Sequence, residues 1–191
     1  NLNNLDFSNV DFKGANLSAS WMNGADLSGA DLSGANLDIA FMYKANLKGA
    51  KLDKASMFST QMLGADLSMA SLEEATIAAD LYKANLRGAN FKNAMMGADT
   101  KNQSMGIMAL KAKKAFFDNA DLSGADLSRT DLEYASFKNA NLSNANLEFA
   151  KLTGANFVGA NLTNTNFTNA EVGANHFCGS IGLDKAIGLK K

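Results

Sequence analysis

The chain has no proline, one cysteine, one histidine and one tryptophan in 191 residues. Without proline, every backbone amide can donate, as a fold built on long main-chain ladders requires. The lone Cys178 excludes an intrachain disulfide and gives no sign of an oxidising compartment, so a cytoplasmic location is expected. Charge of one sign is missing as well. Eighteen basic against 19 acidic residues leave a net −1, with neither a basic stripe for nucleic acid nor a dense negative field. No apolar run approaches the ~18 residues of a membrane span, and no secretory leader pattern stands at the start. The chain begins at Asn1, as expected of a trimmed or processed chain.

What is present is repetition. The run Ala25-Asp26-Leu27-Ser28-Gly29, Ala30-Asp31-Leu32-Ser33-Gly34, Ala35-Asn36-Leu37 shows a five-residue unit: Ala, then Asp or Asn, then a large apolar centre, then a polar and a small residue. This spacing does not fit an α-helix, because at about 100° per residue successive centres fall about 140° apart. It does not fit a continuous strand either, since an odd step flips each centre to the opposite face. A turn in every unit removes the conflict. Ala and Leu, two apart, then point inward from a short extended piece, the Asp or Asn between them points outward, and the last two residues make the turn. The chain must wind as a solenoid.

A second period sets the number of sides. Met22, Met42 and Met62 lie 20 residues apart, and so do Phe117, Phe137, Phe157 and Phe177. Four units per coil stack each set into a column of like shapes, which suits a close-packed core. We therefore expect an all-β, square coil of about eight turns. The ladder spacing of ~4.8 Å makes that roughly 40 Å long.

Over roughly residues 5–177 these units resemble the pentapeptide-repeat family, whose repeat is this Ala-(Asp/Asn)-Leu-x-x pattern. The resemblance implies a right-handed quadrilateral β-helix. It also implies a function class of scaffolds with varied partners. Some members look like B-form DNA in width and charge and bind DNA gyrase or topoisomerase IV, protecting against quinolones.

The breaks in the repeat carry the remaining information. Centres run in steps of five from Phe7 to Ile77, but the next is Leu81, so one residue is missing near Ala78-Ala79. After Met96 the pattern fails until Ala115-Phe116-Phe117. The chain thus reads as one domain over 1–191: a first block 1–96, an insertion 97–116, a second block 117–177 and a cap 178–191. If Phe117 continues the side left at Met96, one column reads Met22, Met42, Met62, Leu81, Phe117, Phe137, Phe157, Phe177, and both defects fall on that side. Outward aromatics gather there as well. Trp21 and Phe41 hold the Asp/Asn place, with Tyr43, Leu63, Tyr82 and Phe116 beside them and Ile39 and Phe58 around the corner. A patch of this size is the least expected feature of the surface.

Two readings of that patch stand. Either the insertion folds back so that Met105, Ile107, Met108 and Leu110 cover Trp21, Phe41 and Tyr43, or this side binds a protein partner through aromatic anchors. The insertion is basic: Lys101, Lys111, Lys113 and Lys114 against Asp99 give +3. Residues 104–114 could form a short helix. The partner-binding candidates are therefore Trp21, Phe41, Tyr43, Phe58, Tyr82, Met105, Met108, Lys111, Lys113 and Lys114.

No active site assembles from the sequence. His176 and Cys178 flank inward Phe177 but have no second His or Cys to complete a metal site or a supported nucleophile, so neither metal nor cofactor is expected. The Asp residues read as turn and ladder residues, and Ser28-Gly29 and Ser33-Gly34 as repeat turns rather than phosphate cradles. Asp31 and Lys51 would make an exposed pair between coils, worth little. Ile181, Leu183, Ile187 and Leu189 could cap the last coil. No cap precedes the first, and an open edge invites either preceding chain or a second copy, as a homodimer or end-to-end stack. The reading is a non-enzymatic scaffold for a protein partner. The alternative is a DNA mimic that binds gyrase or topoisomerase IV; near-neutral charge and a lysine-bearing insertion count against it.

Overall fold

A computed structural model describes residues 1–98, 109–173 and 175–189. It is a β-helical solenoid in which parallel bridges, mostly between residues 20 apart, run along four columns. Side 1 runs through Asp6, Asp26, Asn46, Asp66, Asn85, Phe116, Ser136, Asn156 and His176. Side 2 begins Asp11–Asp31–Lys51, side 3 Asn16–Asn36–Ser56, and side 4 Trp21–Phe41–Gln61. Nine rungs on side 1 mean eight steps, in keeping with a rod of about eight coils.

One unit explains the rest. The centre Leu27 donates its amide to the Asn46 carbonyl at 2.7 Å, and Asp26 donates to the Leu5 carbonyl at 2.9 Å, so each side bonds to the coils on both its flanks. The Leu27 carbonyl accepts the Ala30 amide at 3.1 Å and closes a four-residue turn. Its third residue, Gly29, has φ 65°. A positive φ there is the mark of a type II turn, which favours Gly or Asn. Many units place Lys, Met or Tyr in this position instead, at φ near 60° as in Lys44 and Tyr134. That conformation costs an L-residue roughly 1–2 kcal/mol, which ladder and core offset.

Asp or Asn before the centre has a local task. Asp26 Oδ1 accepts the Ser28 amide at 2.9 Å, and Asp31 Oδ1 accepts that of Ser33 at 3.0 Å. The carboxylate thereby occupies a turn amide that would otherwise face solvent alone. Asn side chains also bond along the rod, as Asn46 Nδ2 does to Asp26 Oδ1 at 3.0 Å. Inside, the inward Ala residues and the centres from Met22 to Phe167 are fully buried as one core, with Phe7, Phe12, Leu17 and Phe177 partly buried at its ends. Each centre contributes roughly 1.5–3 kcal/mol before the cost of ordering the chain.

The core differs from the expected columns in one respect. Phe117, Phe137, Phe157 and Phe177 stack not beside Met96 or over the methionines but on side 1, continuing Phe7, Leu27, Leu47, Leu67 and Leu86, because Phe116 bridges Asn85. Successive rings of the stack are 4.9, 5.0 and 5.2 Å apart and within 8° of parallel. The methionine column on side 4 instead continues through Leu81, Ala112, Leu132 and Leu152, since Lys111 bridges both Asp80 and Asp131. The repeat therefore resumes at Leu110, not Ala115, and the insertion is shorter than 97–116. The sequence hides this unit because its large and small residues trade places. Leu110 holds the Ala position and Ala112 the centre, and both are fully buried. Residues 111–114 form a bridge and a turn rather than helix. Met105, Ile107 and Met108 lie outside the described residues.

Both defects sit at the corner between sides 3 and 4. There the chain runs straight as β1 (Ser56–Gln61) paired in parallel with β2 (Thr76–Asp80). Their register shifts between Phe58 and Gln61. The missing residue is the one that elsewhere carries the positive φ, so the second strand passes the corner extended. At the far end, the cap differs from expectation. Ile181 and Ile187 extend the ladders of sides 2 and 3 by bonding Ala160 and Thr165, and they point outward, 62% and 54% exposed. Ala186 and Leu189 are the residues that pack on the core.

Candidate functional site

Side 4 is built in two halves. Its outward column reads Trp21, Phe41, Gln61 and then Asp80, Lys111, Asp131, Lys151, Glu171. An aromatic pair gives way to alternating charge. Trp21 and Phe41 lie 5.1 Å apart between ring centroids, and Phe41 and Tyr43 6.3 Å. Trp21 is 53% exposed and Tyr43 37%, while Phe41 is half-buried between them.

An aromatic residue in the Asp/Asn place leaves the following turn amide without its usual acceptor. Asparagines one coil earlier supply it. Asn3 Oδ1 accepts the Asn23 amide at 2.8 Å, and Asn23 Oδ1 accepts the Tyr43 amide at 3.0 Å. The same relay works where serine holds the place: Asp38 Oδ1 accepts both the Ser56 hydroxyl at 2.6 Å and the Phe58 amide at 2.8 Å. Sequence reading missed Asn3 and Asn23 as supports of the patch. The signal was present as an Asn two residues past a column position and 20 before an amide in need.

The remaining candidates fall around this side. Tyr82 is half-buried on the ridge that Tyr43 and Leu63 share, with the Lys83 ammonium 5.2 Å from its ring centroid. Lys113 follows Tyr82 on that ridge, hydrogen-bonded to Glu133 and 5.7 Å from the Tyr134 ring. That bond raises the Lys113 pKa and holds Glu133 below the usual carboxylate range. Lys111 and Lys114 are exposed. Phe58 is half-buried on the opposite corner. Met105 and Met108 cannot be placed, being outside the described residues. Phe116 is not part of this side. It sits on side 1 under the Arg87 guanidinium, 4.2 Å from its ring, and Arg87 Nε also bonds Asp118 at 3.2 Å.

A cleft of about 160 Å³ opens at the corner where the residue is missing, lined by Gln61, Asp80, Lys111 and small residues. Among the described residues no cluster of His, Cys, Asp or Glu could hold a metal ion, and no helix is long and apolar enough to cross a membrane. The Asp31–Lys51 pair forms at 3.9 Å on an exposed surface.

Comparison with known proteins agrees with this architecture. The sequence model described as Pentapeptide repeats matches in eight copies, over residues 1–29, 11–49, 40–77, 77–96, 111–139 and 140–172. The matches leave a gap at the insertion and resume at Lys111. Among solved structures, the chain is similar to HetL, a pentapeptide repeat protein involved in heterocyst differentiation regulation from the cyanobacterium Nostoc sp. strain PCC 7120. Identity is 25%, coverage 97% of this chain and 90% of that one, and the TM-score 0.41. QnrB1, a plasmid-mediated fluoroquinolone resistance protein, is 22% identical over 92% of this chain and 89% of that one, at a TM-score of 0.48. Rfr23 from the cyanobacterium Cyanothece 51142 is 32% identical over 56% of this chain and 63% of that one, at 0.40. No curated protein matches.

Proposed function

The chain belongs to the pentapeptide-repeat family, and on that premise we propose that it is a non-enzymatic cytoplasmic scaffold that binds a protein partner through side 4. The reading takes its coil as right-handed and quadrilateral, the form the family implies. One observation carries the assignment: Trp21 and Phe41 occupy outward places that the repeat gives to Asp or Asn, and Asn3 and Asn23 are positioned to make that replacement tolerable. Large aromatics at the centre of a polar face are the anchors that protein interfaces favour. Gyrase mimicry is the weaker reading, since side 4 alternates Asp80, Lys111, Asp131 and Lys151 rather than presenting negative charge alone.

The test is the triple variant Trp21→Ser, Phe41→Ser, Tyr43→Ser, with circular dichroism to follow folding. A folded variant that loses a partner retained by the parent protein from its native extract supports the proposal. A folded variant that retains every partner removes it.

A further inference from the structure

Side 4 carries eight outward residues, from Trp21 to Glu171, and their charges are ordered. From Asp80 the column alternates in sign through Lys111, Asp131, Lys151 and Glu171. Neighbours stand about one ladder spacing apart, roughly 4.8 Å. Yet among the described residues no ion pair joins two members of this column. Lys113, on the adjoining ridge, is instead bound to Glu133. Lys111, Lys151 and Glu171 are exposed, as is Trp21 at the other end.

Flat sheet faces pack against one another about 10 Å apart, with their side chains between them. A second copy can face side 4 through a two-fold axis lying in the interface. Two directions of that axis keep the rods aligned. An axis along the rod sets every residue against itself, so all five charges oppose their like. An axis along the strands runs the rods antiparallel, and the numbers of two facing rungs then have a constant sum. With a sum of eight or ten, Asp80 or Lys111 meets itself. A sum of eleven opposes unlike charges but leaves Trp21 and Phe41 uncovered.

A sum of nine overlaps all eight rungs and brings no like charges together. Asp80 then faces the partner's Lys111 beside the axis. Gln61 faces the partner's Asp131, and its amide keeps one hydrogen beyond that given to the Ser59 carbonyl. Phe41 faces the partner's Lys151, a cation over a ring. The Trp21 indole N–H faces the carboxylate of the partner's Glu171. Symmetry repeats each of these four contacts.

We infer that two copies of this chain associate through side 4, antiparallel and in the full-overlap register. The inference rests on the scaffold reading above, which takes side 4 as the binding face, and it names the partner as a second copy. One cause then accounts for both halves of the side. The aromatic end lies over the charged end of the other copy, and the alternating column meets its own complement at the axis.

Charge exchange tests the register by sedimentation equilibrium of the full chain at low salt, with circular dichroism to follow folding. The parent chain should dimerise. Lys111→Asp sets carboxylate against carboxylate on both sides of the axis, and Asp80→Lys sets ammonium against ammonium. Either exchange should weaken association about a hundredfold. Mixing the two single variants opposes unlike charges at both places, so the mixture should regain the dimer, as should the double variant. The register with a sum of eleven gives no such rescue. Trp21 is the sole tryptophan, so the parent's emission should change with protein concentration, and that of each single variant should not. Rescue supports this inference and the scaffold reading together. A parent chain that stays monomeric at about 100 μM, a dimer indifferent to the exchanges, or a mixture without rescue overturns the inference. Each of those leaves the scaffold reading to its own test in native extract.

Discussion

The Leu110 amide donates to the Met96 carbonyl at 3.1 Å. In an ordinary unit the same bond joins residues three apart, as Ala25 donates to Met22. Here it spans fourteen, so the chain leaves the coil and returns to it at an ordinary corner. Met96 and Leu110 thus keep the closing bond of an ordinary corner, with the insertion between them.

Excision of the insertion follows from that bond. Replacing residues 97–109 by Asn-Gly restores a three-residue step between Met96 and Leu110. Shortening the closed loop should stabilise the protein by roughly 1–2 kcal/mol, read from the denaturant midpoint. A loss of cooperative folding would show that the insertion belongs to the core.

The exchange of Leu110 and Ala112 gives a second expectation. Leu110→Ala leaves a cavity and should cost about 2–5 kcal/mol. Ala112→Leu overpacks the same layer and should cost about 1–3 kcal/mol. Together they restore the usual Ala-then-Leu order, so the double variant should be more stable than either single one. Equilibrium unfolding of the three variants measures the coupling. Additive losses would mean that the two side chains do not share one volume.

The relay under the aromatic patch is testable by rescue. Asn23→Ala strands the Tyr43 amide and should cost roughly 0.5–1.5 kcal/mol. Adding Phe41→Asp gives Tyr43 an acceptor within its own unit, the arrangement Asp26 makes with Ser28. The double variant should recover most of that loss in a thermal melt. No recovery would refute the idea that Asn23 stands in for a missing Asp.

Glu133 should titrate low. Its hydrogen bond to the Lys113 ammonium comes first among the causes, ahead of desolvation, which opposes it. A depressed folded pKa means stability that is present above the unfolded value, near 4.5, and lost as pH falls through the folded one. Carboxyl-detected NMR should find the Glu133 midpoint below the ordinary glutamate range, and Lys113→Met should return it upward. An unshifted midpoint in the parent protein would mean that the pair is not held in solution.

The five-residue period by itself determined that the chain is a β-helical solenoid. It also determined which residues face in and that Trp21 and Phe41 face out. Those are local consequences: a side chain two positions from a buried Ala must be buried, and its neighbour must be exposed. Which column the second block joins was beyond its reach. Reading Ala115-Phe116-Phe117 as the resumption passed over Leu110–Lys114, because a large residue followed by a small one fills the same core layer as the reverse order. The unit is hidden in the pattern but not in the volume. Only the fold, by pairing Lys111 with Asp80 and Asp131, decides that the phenylalanines stack on side 1 and that side 4 changes from aromatic to charged. The register of a solenoid across an excursion depends on what the returning chain packs against, and that partner lies a whole coil away.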